Sequence, residues 1–312
     1  MKTTGAKSED AISRRVGILY GILAVIAWSG FLIFTRVGTK SGLQSSDILL
    51  IRFVTAALIL LPWIIHKCPP TLRRERWHHG LALAVTGGLL FVGANVLGYR
   101  FAPLAHGAVI QPSTIPIASI AFATVFLKQY LPLQRLLGVA LIILGIAFVA
   151  FDQNSVPVPF TWIGDLLFIC AGLSWVAFTV LLNRWQTSGV EAAATVSVIS
   201  AIILLPAVAV FGSFERLLSL TVIEIGTQII VQGLLAGVIS VVAYGRAVKY
   251  LGVAQASLFP ALVPAFTLLT GAPITGEFPR IGEATGAAIA TFGLMVALGR
   301  GRTKGGCQTN SI

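Results

Sequence analysis

The chain has 312 residues, of which 56% are hydrophobic and only 11% charged, and it carries a formal net charge of +11. A charged share less than half that of ordinary soluble domains leaves too few ions to coat a surface of this size, so lipid is the solvent for most of the chain. The basic residues fall in short clusters between apolar runs rather than on one face, which excludes nucleic acid as the partner and fits a bilayer.

A helix needs about 20 apolar residues to cross the hydrocarbon core. Ten runs of that kind are read along the chain, at about 16–36, 46–65, 80–100, 104–127, 134–151, 161–183, 191–211, 223–247, 253–273 and 281–299. They do not alternate polar with apolar as β-barrel strands do, so the expected fold class is all-α integral membrane, with ten transmembrane helices. The amino end, "SEDAISRRVGILYGILAVIAWSGFLIF", has an apolar run too long for a signal peptide and no clear small-residue cleavage site, so it is expected to remain as the first span. With the amino end in the cytoplasm, the inner segments hold Lys2, Lys7, Arg14, Arg15, Lys67, Arg73, Arg74, Arg76, Lys128, Arg135, Arg184, Arg246, Lys249, Arg300, Arg302 and Lys304. The outer segments hold only Arg36, Lys40, Arg100, Arg216 and Arg280. This bias puts both termini inside, with residues 1–15 as a cytoplasmic tail and 300–312 as a basic cytoplasmic tail.

Polar and aromatic groups at membrane depth are the candidate site residues. The first run carries Trp28 near its middle, and the second carries Arg52 about two turns in. An arginine at a helix centre costs roughly 2.5–3.5 kcal/mol on insertion scales, so Arg52 is expected to face the bundle or reach the interface. It reads first as a structural charge, with Asp165 of the sixth run as a possible partner, and second as a contact for an anion or carboxylate. The third run supplies Asn95 and Tyr99, the fourth His106 and Gln111, the sixth Trp175 and the eighth Tyr244. No Asp or Glu lies near the middle of a run, and only Asp165 and His106 approach the role a proton-driven carrier needs, so facilitated transport is expected.

The fourth and ninth runs each contain a P-x-x-x-P pattern, Pro112 with Pro116 and Pro260 with Pro264. Proline lacks an N–H and crowds the carbonyl four residues earlier, which frees the carbonyls of Ala108, Pro112, Ala256 and Pro260. In lipid such acceptors must face protein, water or a ligand. Two readings stay open: kinks that only shape helix packing, and kinks whose carbonyls line a shared cavity for an amine or hydroxyl.

The chain is also written twice. Pro112 and Pro260, Pro116 and Pro264, Gly138 and Gly286, and Gly145 and Gly293 are related by one constant shift, and a shift one residue shorter relates Gly17 to Gly164 and Trp28 to Trp175. A duplication of five spans reverses the orientation of the second copy, because five is odd. Residues 16–151 and 161–299 are therefore expected to form two inverted five-helix repeats, with a pathway between them and alternating access.

Several stretches carry a family resemblance: "GILAVIAWSGFLIFTRVG", "SDILLIRFVTAALILLPW", "FAPLAHGAVIQPSTIPI" with "LPLQRLLGVALIILGIAFVAF", and the second-half "YGRAVKYLGVAQASLFPALVPAFTLLTGAPITGEFPRIGEATGAAIATFGLMVAL". In this ordered set the chain resembles the EamA type of the drug/metabolite transporter superfamily over nearly its whole length. The resemblance implies a central cavity, a bacterial inner-membrane location and export of amino acids or other small metabolites. The acidic turn of the family survives as Gly276–Glu277, whereas the first half has Lys128–Gln129.

Two rival functions are weighed. An exchanger of phosphorylated metabolites or nucleotide sugars calls for several buried cations, and only Arg52 qualifies. A polytopic membrane enzyme calls for a motif such as D-x-x-x-D, H-E-x-x-H or a phosphate-cradling glycine loop, and the sequence contains none, so no enzymatic activity is expected. Cys68, Cys170 and Cys307 show neither metal spacing nor a disulfide framework, and no cofactor or metal is expected. The expected partners are a small-molecule substrate and the lipid bilayer, for a monomer or homodimer.

Overall fold

The structure, a computed structural model, describes residues 3–67, 69–73, 76–125, 128, 132–151, 160–211, 220–251, 256 and 259–298. Among the described residues every regular element is helical. A helix satisfies each backbone N–H and C=O within its own segment, which lipid requires. In chain order the α-helices are α1 (Thr3–Lys40), α2 (Ser45–Lys67), α3 (Trp77–Ala84), α4 (Leu90–Gly98), α5 (Leu104–Val125), α6 (Leu133–Ala150) and α7 (Thr161–Trp185). They continue as α8 (Gly189–Phe211), α9 (Val222–Gln228), α10 (Ser240–Leu251), α11 (Val263–Thr275) and α12 (Ile281–Leu298).

Seven helical segments among the described residues are long and apolar enough to cross a bilayer: Arg14–Lys40, Ser45–Lys67, Trp77–Gly98, Leu133–Ala150, Thr161–Trp185, Gly189–Val210 and Val222–Leu251. The other three expected runs are occupied by α5, α11 and α12. Residues 3–15, expected as a tail, continue α1 as helix, and the tail at 300–312 lies outside the described residues.

Two of the long segments are not uniform. A π-helical stretch, Val85–Leu89, joins α3 to α4, and another, Ile229–Ile239, joins α9 to α10. Both fall in the third span of their half. A π turn inserts a residue and resets which side chains share a face. Each stretch also brings a glycine against a neighbouring helix. A Cβ at Gly87 would lie 2.5 Å from the Phe178 ring, and one at Gly88 2.7 Å from Ser200 Oγ.

The packing of the two halves is reciprocal. α6 and α12 cross in opposite directions at backbone contact. A Cβ on Gly138 would lie 2.5 Å from the Ala297 nitrogen, one on Gly145 2.6 Å from the Gly286 carbonyl oxygen, and one on Gly293 2.9 Å from the Gly138 carbonyl oxygen. The four duplicated glycines thus meet one another, and small residues let the backbones approach. α1 runs antiparallel to the α9–α10 segment, with Gly17 against Leu251 and Gly38 against Gln228. α7 runs antiparallel to the α3–α4 segment in the same manner, with Gly164 against Ala102 and Ser174 Oγ donating to the Thr86 carbonyl at 2.6 Å. The first span of each half therefore packs on the third span of the other. The main core, including Leu32, Tyr99, Leu104, Ile110 and Phe168, forms where these helices meet, while Leu58, Ile65, Ile143, Leu173 and Phe292 remain on the exterior. An apolar exterior is what a lipid solvent demands.

Candidate functional site

Three features converge on the interface between the halves. The first lies at the middle of the long helices and is aromatic and cationic. Trp28 and Phe31 are one turn apart on α1 and share a face. The Trp28 ring centroid is 5.2 Å from that of Tyr244 on α10. Phe31 stacks at 6.2 Å on Phe91 of α4, which lies 4.6 Å from Trp175 of α7. The Arg52 guanidinium lies over the Phe31 ring, 4.7 Å from its centroid. Its hydrogen bonds are long, 3.4 Å from Nη1 to Gln232 Oε1 and 3.5 Å from Nη2 to the Ala236 carbonyl. Trp28, Arg52, Trp175 and Tyr244 are half-buried, although their helices pack tightly around them. No carboxylate pairs with Arg52 among the described residues. The expected Asp165 partner is corrected by the structure, because Asp165 is engaged elsewhere.

The second feature closes one end of the bundle. Arg36, in the last turns of α1, grips Glu277, which follows α11. Nε donates to Oε1 at 2.9 Å and to Oε2 at 3.2 Å, and Nη2 donates to Oε1 at 2.7 Å. Arg36 Nη1 donates to the Tyr99 carbonyl, and the Leu104 N–H donates to Glu277 Oε2 at 2.9 Å. Lys40 adds an ion pair at 3.4 Å and donates to the Thr275 carbonyl at 2.8 Å. The carboxylate thereby ties α1 and α5 to the α11–α12 turn, and Arg36 adds the end of α4. Burial works to raise the Glu277 carboxyl, but hydrogen bonds from Arg36 and Leu104 and the charges of Arg36 and Lys40 outweigh it and hold the group below the ordinary carboxylate value. Gly276, at φ +70°, makes the turn that aims this side chain.

The third feature lies at the same end. His106 Nδ1 is 2.7 Å from Asp165 Oδ1, and His106 Nε2 is 4.0 Å from Glu283 Oε1. His106 belongs to the first turn of α5, Glu283 to the first turn of α12, and Asp165 to the second turn of α7. Glu283 Oε2 also accepts the Arg280 N–H at 2.9 Å.

The remaining candidates divide by burial. Asn95 is fully buried; its Nδ2 donates to the Phe91 carbonyl at 2.9 Å, and its Oδ1 has no partner. Tyr99 is 0% exposed, edge-on to Phe168 at 4.9 Å, with its hydroxyl unpartnered, so it is core in this conformation rather than lining. Gln111 is buried in α5, and Pro112 and Pro116 are half-buried within that helix, which continues past both.

In the second half the expected free carbonyls are corrected. Phe259 N–H donates to the Ala256 carbonyl at 3.1 Å, and Val263 N–H donates to that of Pro260. The chain tightens into a 3₁₀ turn at Pro260–Leu262, so both acceptors are satisfied three residues on, and buried Pro264 opens α11. A groove of about 560 Å³ between α5 and α7 is lined only by side chains such as Ala118, Phe122, Val176 and Leu181, and offers no polar anchor.

Sequence reasoning missed Gln228 and Gln232, which hydrogen-bond to α1 at the Phe34 carbonyl (2.9 Å) and at Thr35 Oγ1 (3.0 Å). Their signal was the one that exposed Asn95 and Gln111, an amide inside an apolar run. Phe31 and Phe91 gave no signal, since phenylalanine is unremarkable in a span.

Comparison with known proteins agrees with this architecture. The model of the EamA-like transporter family matches residues 15–151 and again residues 162–299. An uncharacterized transporter of Bacillus subtilis, YyaM, is 25% identical over 260 residues, covering 80% of this chain and 82% of that protein. An uncharacterized transporter of Archaeoglobus fulgidus is 24% identical over 173 residues, covering 52% of this chain and 55% of its own. A solved crystal structure superposes with a TM-score of 0.59 at 15% identity, covering 90% of this chain and 96% of that one, a likeness of fold alone.

Proposed function

The chain belongs to the EamA-like transporter family, and from that premise we propose that it is a carrier of the bacterial inner membrane, termini in the cytoplasm, that exports small carboxylate-bearing metabolites such as amino acids by alternating access. The observation that carries this reading is Arg52. It is a half-buried cation at membrane depth, held by two long hydrogen bonds and a ring face, with no carboxylate of its own among the described residues. A desolvated guanidinium of this kind suits a planar carboxylate, which it grips with two parallel hydrogen bonds. Trp28, Trp175 and Tyr244 supply the apolar and aromatic walls that small-molecule sites use, and the two halves contribute them jointly. The Arg36–Glu277 network shuts the end that the charge bias assigns to the outside, so this conformation would admit substrate from the cytoplasmic side. Substrate release would require those bonds to open. A phosphorylated substrate has less support, because one arginine meets a carboxylate's charge but not a phosphate's.

Purified protein in liposomes, loaded with labelled amino acids or with sugar phosphates, tests the reading. Amino acid flux is expected, with Arg52→Ala weakening it about 10- to 100-fold, which corresponds to losing one charge-assisted hydrogen-bonded pair of roughly 1.5–3 kcal/mol. Arg52→Lys should retain part of it. Undiminished flux in folded Arg52→Ala, or a preference for sugar phosphates, overturns the assignment.

A further inference from the structure

We propose that His106, Asp165 and Glu283 form a proton-binding site whose occupancy is linked to closure of the bundle at this end, so that the carrier responds to protons rather than running on the substrate gradient alone. This rests on the carrier reading above.

Three titratable side chains meet here, and each is largely shielded. Their side chains are 8% (His106), 17% (Asp165) and 10% (Glu283) exposed. They come from different halves, His106 from the first and both carboxylates from the second, so the site is complete only when the halves are together at this end.

The imidazole faces one carboxylate from each ring nitrogen. A neutral ring carries one N–H and can donate to only one of them, leaving the other carboxylate opposite a lone pair. A ring with two protons donates on both sides and offsets one of the two negative charges. The geometry matches a bridge in which Asp165 takes the short bond at 2.7 Å and Glu283 stands at ion-pair distance, 4.0 Å. Without the second proton, Asp165 takes the ring's single N–H and Glu283 Oε1 faces a lone pair, its other oxygen keeping only the Arg280 backbone N–H, which is costly for a shielded charge away from water. Separating α5 from α7 and α12 relieves that cost by hydrating both. Closure therefore takes up one proton from the solvent on this side, and opening returns it.

The neighbouring charges leave this cluster as the proton-sensitive element. From α1, Arg36 and Lys40 are committed to Glu277, which also binds the Leu104 N–H two residues before His106. Arg280, before α12, gives its backbone N–H to Glu283, while its guanidinium Nη1 is buried without a hydrogen-bond partner and makes no ion pair with the cluster among the described residues. The Tyr99 ring of α4 covers Gly107, and Arg135 of α6 stands in the first turn of that helix, at the opposite end of α5. α11 carries no titratable side chain.

The test reads the opening directly. Ala102 is buried beside Gly164 at this end. Ala102→Cys is introduced into a chain whose Cys68, Cys170 and Cys307 are replaced by Ser, and its labelling by a membrane-impermeant maleimide is followed in vesicles between about pH 5 and 8, the range in which histidine titrates. After correction for the thiolate fraction with an exposed control cysteine, labelling should rise with pH by up to about tenfold per unit, the limit of a one-proton linkage.

His106→Gln should flatten the profile. Asp165→Asn or Glu283→Gln should keep labelling slow at high pH, because the remaining carboxylate needs only one donor. A flat profile in the parent, or an unchanged one in His106→Gln, overturns the proposal. If His106→Gln fails to fold, an unchanged profile in Glu283→Gln does so instead. No transported substrate is needed, so failure here is distinguishable from failure of the carrier reading, in which labelling would respond to pH while amino acid flux is absent.

Discussion

The two proline pairs occupy matching places in the two halves, yet their backbones differ. α5 runs unbroken from Leu104 to Val125 through Pro112 and Pro116. In the second half the chain forms a 3₁₀ turn at Pro260–Leu262 before α11 begins. The residue ahead of the pair explains the difference. Phe259 docks its ring into the notch left by Gly21 on α1, where any Cβ would collide with it. The first half has Gln111 at the matching place, packed with Thr114 against Gly172 of α7, and no ring draws the backbone aside. Duplicated sequence thus sets where a helix is vulnerable, and the neighbouring helix decides whether it yields. The charges are as unequal as the backbones: the Arg36–Glu277 pair ties α1, the end of α4 and α5 together at one end, while the corresponding position of the first half carries Lys128–Gln129.

This inequality can be tested by paired substitutions. The largest effect is expected at Arg36; the shift that relates Trp28 to Trp175 carries it to Asn183, beside the exposed Arg184. Arg36→Ala leaves Glu277 shielded with only Lys40 and Leu104, and should cost about 2–4 kcal/mol in detergent unfolding. Arg184→Ala should stay within about 0.5 kcal/mol. Equal losses at the two positions would restore symmetry to the ends.

A smaller effect, opposite in sign between the halves, is expected at the prolines. Pro112→Ala returns an N–H to the interior of an intact helix and should raise the melting temperature, by up to about 3 kcal/mol in stability. Pro260→Ala loses a residue whose fixed φ suits the start of a turn and should lower stability by about 0.4–1 kcal/mol. Melting shifts of the same sign would show that both segments are strained alike.

The smallest effect is acid sensitivity. Glu277 has its folded value below its ordinary 4.5, so the stability it contributes is present above that value and is lost as pH falls through the folded one. The parent protein should lose melting temperature more steeply than Glu277→Gln below about pH 4, the ordinary carboxylate range. Parallel curves would remove Glu277 from the lock.

How much of this was readable without coordinates follows from particular residues. The spans were readable because burial in lipid is a sum over about 20 neighbouring side chains and tolerates error in any one of them. The duplication was readable because Gly138, Gly145, Gly286 and Gly293 recur at a constant shift, and those glycines then proved to be the crossing of α6 and α12. Trp28, Trp175 and Tyr244 were found as aromatic groups at membrane depth; Trp28 lies against Tyr244, and Trp175 lies against Phe91, which stacks on the Phe31 ring that carries Arg52. The π-helical stretches left no trace in the apolar pattern, since an extra residue in one turn shifts a face without changing composition.

The sequence by itself determined an all-helical chain with an apolar exterior, written twice, with polar groups that had to face inward. Only the tertiary structure decided which of those groups meet. Asp165 was free on paper to join Arg52, but packing places it 2.7 Å from His106, while Arg36 reaches a carboxylate 241 residues away. Hydrophobic burial adds up along a segment and varies slowly with position, whereas an ion pair is made or lost within an ångström or two. That distance is set by how distant helices pack, which no local stretch of sequence records.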